Sequence, residues 1–274
     1  MKKIIAAIDA LHFYEEQIEG YVYIAREAQR KLTVVLLENL VGQNTPMASV
    51  STFQFDQMIR ESLEEQNQLR KENIERIYRA CNSYSDDINI RETVSAPLPE
   101  VIAASRFADL LLINNNTSFA FLYESNPPRF VKDVLAEAQC PVIVLPDQVP
   151  HLRELVFSYN GTFSSMYAIR QFTQLFPGYS DMPVNVVYVT EKGNSAIPHE
   201  NMLKDYMEHH YDEVKYTVLS GEPVPELLAL LIHRKDCLVT YGAYGRSTLS
   251  RFFHRSNAES ILRTTDIPVF ITHS

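Results

Sequence analysis

Cationic residues, glycines and cysteines are all scarce in this sequence, and it contains no long apolar run. Lys and Arg number 25 against 34 Asp and Glu, which gives a net charge of -9 and a pI near 5.4. An acidic chain lacks the clustered basic side chains that nucleic acid and anionic membranes attract. We therefore expect small molecules or proteins as partners, and neither nucleic acid nor a membrane.

The three cysteines, Cys81, Cys140 and Cys237, stand far apart and have no metal-ligand spacing. An odd number of scattered thiols in apolar surroundings indicates a reducing compartment without a disulfide framework. The apolar stretch at 4–8 ends at Asp9 and is too short for a signal sequence or a membrane span. We predict a cytoplasmic protein.

Five segments recur in the same order in the two halves of the chain. The first half contains KKIIAAIDA, LTVVLLENL, SAPLPEVIAA, ADLLLINNN and QCPVIVLP, and the second contains RELVFSYNG, VNVVYVTEK, GEPVPELLAL, KDCLVTYGA and DIPVFITH. Between them the stretch PDQVPH, at 146–151, has the polar, proline-containing composition of a linker. We predict two tandem domains with one repeated fold, over 1–147 and 152–274.

Each half alternates short apolar runs with stretches of helical period. The predicted strands are 3–8, 32–37, 88–94, 109–114, 142–145, 154–159, 184–190, 214–219, 237–241 and 268–272. The predicted helices are 13–30, 53–81, 99–106, 129–138, 163–175, 199–210, 224–234 and 250–264. Continuous apolar strands that alternate with helices are typical of a parallel sheet covered on both faces. The predicted fold class is α/β, with a doubly wound five-stranded Rossmann-like sheet in each half.

Polar strand ends indicate a candidate ligand site in the second half. In doubly wound sheets, ligands bind outside the carboxyl ends of the strands where the strand order reverses, here expected between the first and fourth strands. Asn160 ends the first strand of this half, and Gly242 and Gly245 follow its fourth. Glycines in a close pair would let backbone N–H groups approach phosphate oxygens. A plain turn from strand to helix would use the same pair.

The second half resembles a universal stress protein domain. Nucleotide-binding members of that family have Gly, two residues, Gly, nine residues, then Gly followed by Ser or Thr. The corresponding residues here are Gly242, Gly245, Arg255 and Ser256, so that only the third glycine is replaced. The similarity extends through both halves, in KKIIAAID, in the Pro-Glu before each third helix and in the final strand CPVIVLP. It implies the adenine nucleotide alpha hydrolase-like form of the Rossmann-like fold.

The resemblance implies a site for an adenine nucleotide, ATP with Mg²⁺, in the second half. Its expected residues are Asn160, Val189, Gly242, Gly245, Arg255 and Ser256. Asn160 replaces an aspartate that lies near adenine and ribose in nucleotide-binding relatives, and the Val189 backbone would meet the base. Ser256 would donate its hydroxyl to a phosphate. Arg255 would either block the approach with its stem or add a charge-assisted contact.

The first half lacks the glycines of this motif. Alignment of INNNTSFAFLYESNPPRF on the second half places Asn115 and Ser118 at the first two glycines, and Pro128 and Arg129 at the third glycine and the serine. Asp9 retains the acid that closes the first strand in the family. We predict that this half does not bind nucleotide in the usual manner of the family, and that its role is structural or interactive.

No catalytic motif accompanies these residues. The sequence has no Walker-type lysine loop, dinucleotide fingerprint, nucleophile elbow or zinc signature. His199, His209 and His210 are the best metal candidates, but adjacent histidines point in different directions around a helix, and no metal site is predicted. No residue presents itself as a base or metal ligand that positions water. The chain is therefore not expected to be an enzyme.

Three functions remain open. The first is a tandem universal stress protein, a non-enzymatic regulatory module that holds an adenine nucleotide in its second half. The second is an adaptor that binds no nucleotide and acts through protein contacts, and the third is a slow nucleotide hydrolase. The final strands PVIVLP and PVFITH would be exposed apolar edges if left uncovered. We therefore expect the halves to form an intramolecular pair, with a homo-oligomer as a further alternative.

Overall fold

Strands and helices alternate along the chain in a computed structural model that describes residues 3–38, 53–84, 88–93, 95–120, 124, 126–190, 196–243 and 257–273. The strands are β1 (Lys3–Asp9), β2 (Lys31–Leu37), β3 (Ile88–Glu92), β4 (Leu110–Asn114), β5 (Val142–Leu145), β6 (Glu154–Tyr159), β7 (Val184–Thr190), β8 (Val214–Ser220), β9 (Cys237–Ala243) and β10 (Val269–His273). The helices are α1 (Glu15–Glu27), α2 (Phe53–Tyr84), α3 (Pro97–Ser105), α4 (Arg129–Glu137), α5 (Phe163–Leu175), α6 (Glu200–Glu208), α7 (Pro223–Leu231) and α8 (Asn257–Thr264), with a 3-10 helix at Pro177–Tyr179. Every predicted strand and helix has a counterpart, although the start of the predicted helix 250–264 lies outside the described residues.

The helix starts follow from local sequence. Helices α3 and α7 begin at Pro97 and Pro223, since proline has a fixed φ that suits the first turn and lacks an N–H that would go unpaired there. Helix α5 begins after Thr162, whose hydroxyl accepts a hydrogen bond from the Ser165 N–H at 3.5 Å. Each of these helices follows a parallel strand, so its N-terminus lies at the carboxyl edge of the sheet. That edge is where ligands bind in doubly wound folds.

All the strands join one sheet, in the order β3-β2-β1-β4-β5-β10-β9-β6-β7-β8. Neighbours within each half are parallel, and the order reverses between β1 and β4 and between β6 and β9. Strands β5 and β10 are antiparallel, with Ile143 opposite Phe270. The predicted doubly wound parallel sheet is confirmed in each half. The pairing of the two final strands joins these sheets into one.

Two apolar layers cover the faces of the sheet and extend across both halves. One layer contains Phe157, Phe172 and Phe270 of the second half together with Ile143 and Leu145 of the first. The rings of Phe172 and Phe270 meet edge to face, with centroids 5.2 Å apart. Alternate residues of each strand enter opposite layers because successive side chains of a strand point to opposite faces. The two halves therefore share their core.

Helix α2, the longest, covers the first half beside α1. Ile77 and Cys81 on its inner face are buried, and Arg70 forms an ion pair with the buried Glu38 that follows β2, at 2.5 Å. Its other side is rich in exposed charged residues, as an amphipathic helix requires. In the part of the chain that the structure describes, no helix is both long and apolar enough to cross a membrane.

The three cysteines are free, buried thiols. Burial raises the pKa of Cys81 and of Cys237 to about 11, and that of Cys140 to about 12. The thiolate is the reactive form of cysteine. These thiols are therefore structural residues of the core.

Candidate functional site

A cavity of about 210 Å³ opens at the carboxyl ends of β6, β7 and β9. Three residues of the predicted nucleotide site, Asn160, Val189 and Gly242, line it. The other three predicted residues, Gly245, Arg255 and Ser256, lie outside the described residues. Strand order reverses between β6 and β9, so the cavity occupies the position that doubly wound sheets use for ligands.

The described lining of this cavity is apolar and polar in nearly equal parts. Val187, Val189, Leu227 and Tyr241 supply apolar surface, and Ser158 and Ser165 supply hydroxyls beside Asn160. Cavities that hold a whole drug-sized ligand usually exceed about 300 Å³. This one is smaller and suits a single flat ring system, such as a purine base, rather than a complete nucleotide.

Seven of these lining residues were not predicted from the sequence. They are Ser158, Tyr159, Ser165, Val187, Pro223, Leu227 and Tyr241. Ser158 had a signal, because it is a hydroxyl residue within the otherwise apolar run of β6. Pro223 and Leu227 belong to the repeat GEPVPELLAL, whose recurrence indicated a shared fold and not a cavity wall.

Asn160 forms the turn that leads from β6 into α5. Its side-chain oxygen Oδ1 accepts hydrogen bonds from the Thr162 N–H at 3.1 Å and from Thr162 Oγ1 at 2.6 Å. Gly161 has a φ of +78°, and a Cβ added to it would lie 2.6 Å from Pro198 Cβ. The pair is therefore a turn built for this fold, as its sequence also allowed, and Oδ1 of Asn160 serves that turn.

Gly242 packs against the first turn of α5. A Cβ at this position would overlap the backbone carbonyl of Ser164 and lie 2.8 Å from the Ser165 nitrogen. Strand and helix backbones can approach this closely only where a side chain is absent. The packing of β9 on α5 thus requires a glycine at 242, whichever ligand the cavity takes.

The histidines proposed as metal candidates do not converge. His199 precedes α6, and His209 and His210 follow its other end, about 15 Å away for a helix of this length. The Nδ1 atom of His209 lies 2.6 Å from the Asp205 carbonyl oxygen, and the His210 ring packs on Tyr206 with centroids 4.5 Å apart. Among the described residues, no group of His, Cys, Asp and Glu has the arrangement of a metal site.

In the first half, the residues aligned with the motif make contacts of their own. The Asn115 amide donates to the Leu262 carbonyl of α8 at 3.0 Å, which ties the first half to the second. The Ser118 hydroxyl donates to Glu124 Oε2 at 2.8 Å. Both polar side chains therefore have partners within the protein.

Asp9 pairs with His12 at the carboxyl end of β1. Asp9 Oδ2 lies 2.7 Å from His12 Nδ1, and Asp9 Oδ1 accepts a hydrogen bond from the Leu11 N–H at 2.8 Å. The hydrogen bond with Asp9 raises the pKa of His12 above its ordinary value of about 6.5. Because the pKa is raised in the folded state, the pair stabilises the fold below pH about 6.5. This contribution is lost as the pH rises through the pKa of folded His12.

We expect an NMR titration to give His12 a higher pKa in the native protein than in the unfolded chain. In Asp9→Asn the acceptor charge is gone, so the pKa of His12 should fall back toward the unfolded value. Asp205→Asn, which alters a remote carboxylate beside His209, serves as the control and should leave the His12 curve in place. A His12 pKa that is the same in the wild type and in Asp9→Asn would contradict this assignment.

Known proteins share this architecture. Residues 159–273 match the model of the Universal stress protein family. A universal stress protein from Archaeoglobus fulgidus DSM 4304 superposes with a TM-score of 0.71 at 15% identity, over 99% of this chain and 98% of its own. A functionally unknown protein from Pseudomonas aeruginosa PAO1 superposes with a TM-score of 0.55 at 12% identity, over 99% and 92%. These likenesses define the fold class of the whole chain.

Similarity to the universal stress protein family is thus found over the second half, residues 159–273, and the first half repeats the same fold. A universal stress protein solved in complex with cAMP is similar over 45% of this chain at 20% identity, with a TM-score of 0.37, which is too low to equate the two folds. No curated protein is significantly similar to the chain.

Proposed function

We propose that the chain is a tandem universal stress protein whose second half binds an adenine nucleotide as a regulatory ligand. The observation that supports this most is convergence, since Asn160, Val189 and Gly242 come from separate parts of the sequence and line one cavity. Its apolar surface suits a purine, and the predicted phosphate loop directly follows β9. The domain limits 1–147 and 152–274 are part of the same proposal.

A binding role is favoured over a catalytic one by the chemistry of the cavity. Its described lining contains hydroxyls, one amide and apolar groups, and no carboxylate, histidine or lysine. General acid–base catalysis needs a titratable group near the reacting atoms. The nucleotide is therefore held, with Mg²⁺ on its phosphates, and not turned over.

We also infer a cytoplasmic location for this protein. Cys81, Cys140 and Cys237 are unpaired, and free thiols are typical of proteins kept in a reducing compartment. The acidic net charge of -9 favours small molecules or proteins as partners over nucleic acid.

Titration with ATP, ADP and AMP in the presence of Mg²⁺ tests nucleotide binding. A ligand at a hundredfold excess over its dissociation constant stabilises the native state by about 2.7 kcal/mol, which corresponds to a rise in Tm of roughly 5–10 °C. We expect Val189→Phe to fill the cavity and abolish this rise. Val218→Phe, at an exposed valine of the neighbouring strand β8, is the matched control and should retain it.

The adaptor is the second candidate, because folding alone accounts for the Asn160 turn and for the glycine at 242. A wild-type Tm that no nucleotide raises would favour it. The variant Arg255→Gly distinguishes the two possible roles of this arginine. Nucleotide binding becomes stronger if the arginine stem blocks the site, and weaker if the guanidinium contacts phosphate. Release of inorganic phosphate from ATP by the wild type, lost in Val189→Phe, would favour the hydrolase.

A further inference from the structure

The first half has a cavity of its own at the matching edge of the sheet, where β1 and β4 end. Its volume is about 460 Å³, against about 210 Å³ in the second half. Asp9, Gln17, Thr117 and Glu124 are among its lining residues. The cavity falls within the usual size range of small-molecule sites, roughly 300–1,000 Å³.

Two buried polar side chains of this cavity lack a partner in the described part of the chain. Gln17 of α1 is 7% exposed, and Thr117, which follows β4, is 6% exposed. Neither the Gln17 amide nor the Thr117 hydroxyl hydrogen-bonds to another residue that the structure describes. Both groups are therefore available to a ligand in the cavity.

The charged groups of the cavity are predominantly acidic. The Asp9 carboxylate is buried, and the Leu11 N–H and the His12 ring take up two of its four acceptor positions. Glu124 adds a second carboxylate. No lysine or arginine is among the described lining residues. A phosphate here would face two carboxylates, and the described cationic group beside them, the His12 ring, is already paired with Asp9.

We propose that this cavity binds a small organic cation, a molecule with an amine or guanidine group. The charged group donates hydrogen bonds to the Asp9 carboxylate and to the side-chain oxygens of Gln17 and Thr117. Ammonium and guanidinium groups have only donors, which matches this set of acceptors, and hydrogen bonds between charged partners are the strong ones. One repeated fold thus serves ligands of opposite charge, a nucleotide in the second half and a cation in the first.

Calorimetric titration of the full-length protein with spermidine and with agmatine tests this proposal. We expect binding of at least one of them, weakened about ten- to a hundredfold by Gln17→Leu, since one hydrogen bond to a charged group is lost. Asp9→Asn should weaken it at least as much, and added salt should reduce it. Glu16→Gln changes an exposed carboxylate next to Gln17 that does not line the cavity, and it should leave the affinity unchanged.

Gln17→Leu preserves side-chain size and helix propensity, so the test does not depend on whether Asp9→Asn folds. Val189→Phe should leave cation binding intact, which separates this site from the nucleotide site. Absence of heat with both cations would overturn the proposal, and so would equal affinities in wild type and Gln17→Leu. Binding of AMP that Gln17→Leu abolishes would overturn it as well.

Discussion

Gly242→Ala is expected to destabilise the native protein by about 1–3 kcal/mol, and Gly242→Val by more. The added Cβ would overlap the carbonyl carbon and oxygen of Ser164. These are backbone atoms that no rotamer change can move, so α5 and β9 must separate. Glycine to alanine at an unstrained position usually stabilises a protein by about 0.4–1 kcal/mol, because it restricts the unfolded chain. A lower free energy of unfolding for Gly242→Ala would therefore indicate the close contact between residue 242 and the Ser164 backbone, and a higher one would argue against it.

Gly178→Ala is the matched control. A Cβ at Gly178 would have its nearest neighbours, Gln29 Nε2 and the Glu27 carbonyl oxygen, at 3.5 Å, an ordinary van der Waals distance. Urea denaturation followed by circular dichroism measures both free energies of unfolding. If Gly242→Ala proves as stable as Gly178→Ala, the close packing of β9 on α5 is wrong.

The destabilisation expected for Gly242 variants also affects the interpretation of their nucleotide binding. Ser165 lines the cavity and belongs to the turn of α5 that a Cβ at 242 would displace. A Gly242 variant could thus lose nucleotide binding through a shifted helix without any lost phosphate contact. Val189→Phe acts inside the cavity, and is therefore the cleaner probe of the site.

The central strands could be predicted because their apolar composition specifies them. Ile4 and Ile5 of β1 enter opposite apolar layers, and a run that is apolar on both faces is required in a sheet covered by helices on both sides. Strand alternation with helices then restricts the topology to a parallel, doubly wound sheet. The contact between the two halves was harder to predict. The final strand of each half is apolar and must be covered, but the sequence does not show which surface covers it. Pairing of β5 with β10 is one solution among several.

The contacts of the candidate sites could not be predicted, because they join residues that only the tertiary fold brings together. Ser164 and Gly242 meet because β9 lies beside β6. Gln17 did have a weak signal, since it lies on the same face of α1 as the buried Tyr21 and Ile24. A polar residue in an apolar stripe is informative only when a cavity beside it is known.

The second large effect is expected for Phe270→Ala. Phe270 is 0% exposed and lies in β10 between Ile143 of β5 and Thr240 of β9. Its ring also packs edge-on against Phe172 of α5. Truncation of a core phenylalanine costs about 3–5 kcal/mol, which corresponds to a fall in Tm of roughly 6–20 °C for a protein of this size. Phe107→Ala, at a side chain that is 77% exposed, is the control and should stay within about 0.5 kcal/mol of the wild type.

The same variant tests whether the two halves unfold together. The sequence has no tryptophan, so Tyr84→Trp in the first half and Tyr188→Trp in the second each introduce one fluorescent reporter at a half-buried position. Phe270 shares an apolar layer with residues of both halves, and we therefore expect both reporters to give one midpoint that Phe270→Ala lowers equally. Two midpoints, with only the second half affected, would contradict a shared core.

In a single cooperative unit, a ligand bound in either cavity stabilises both halves. Occupancy of the nucleotide site therefore also protects the cation site from unfolding.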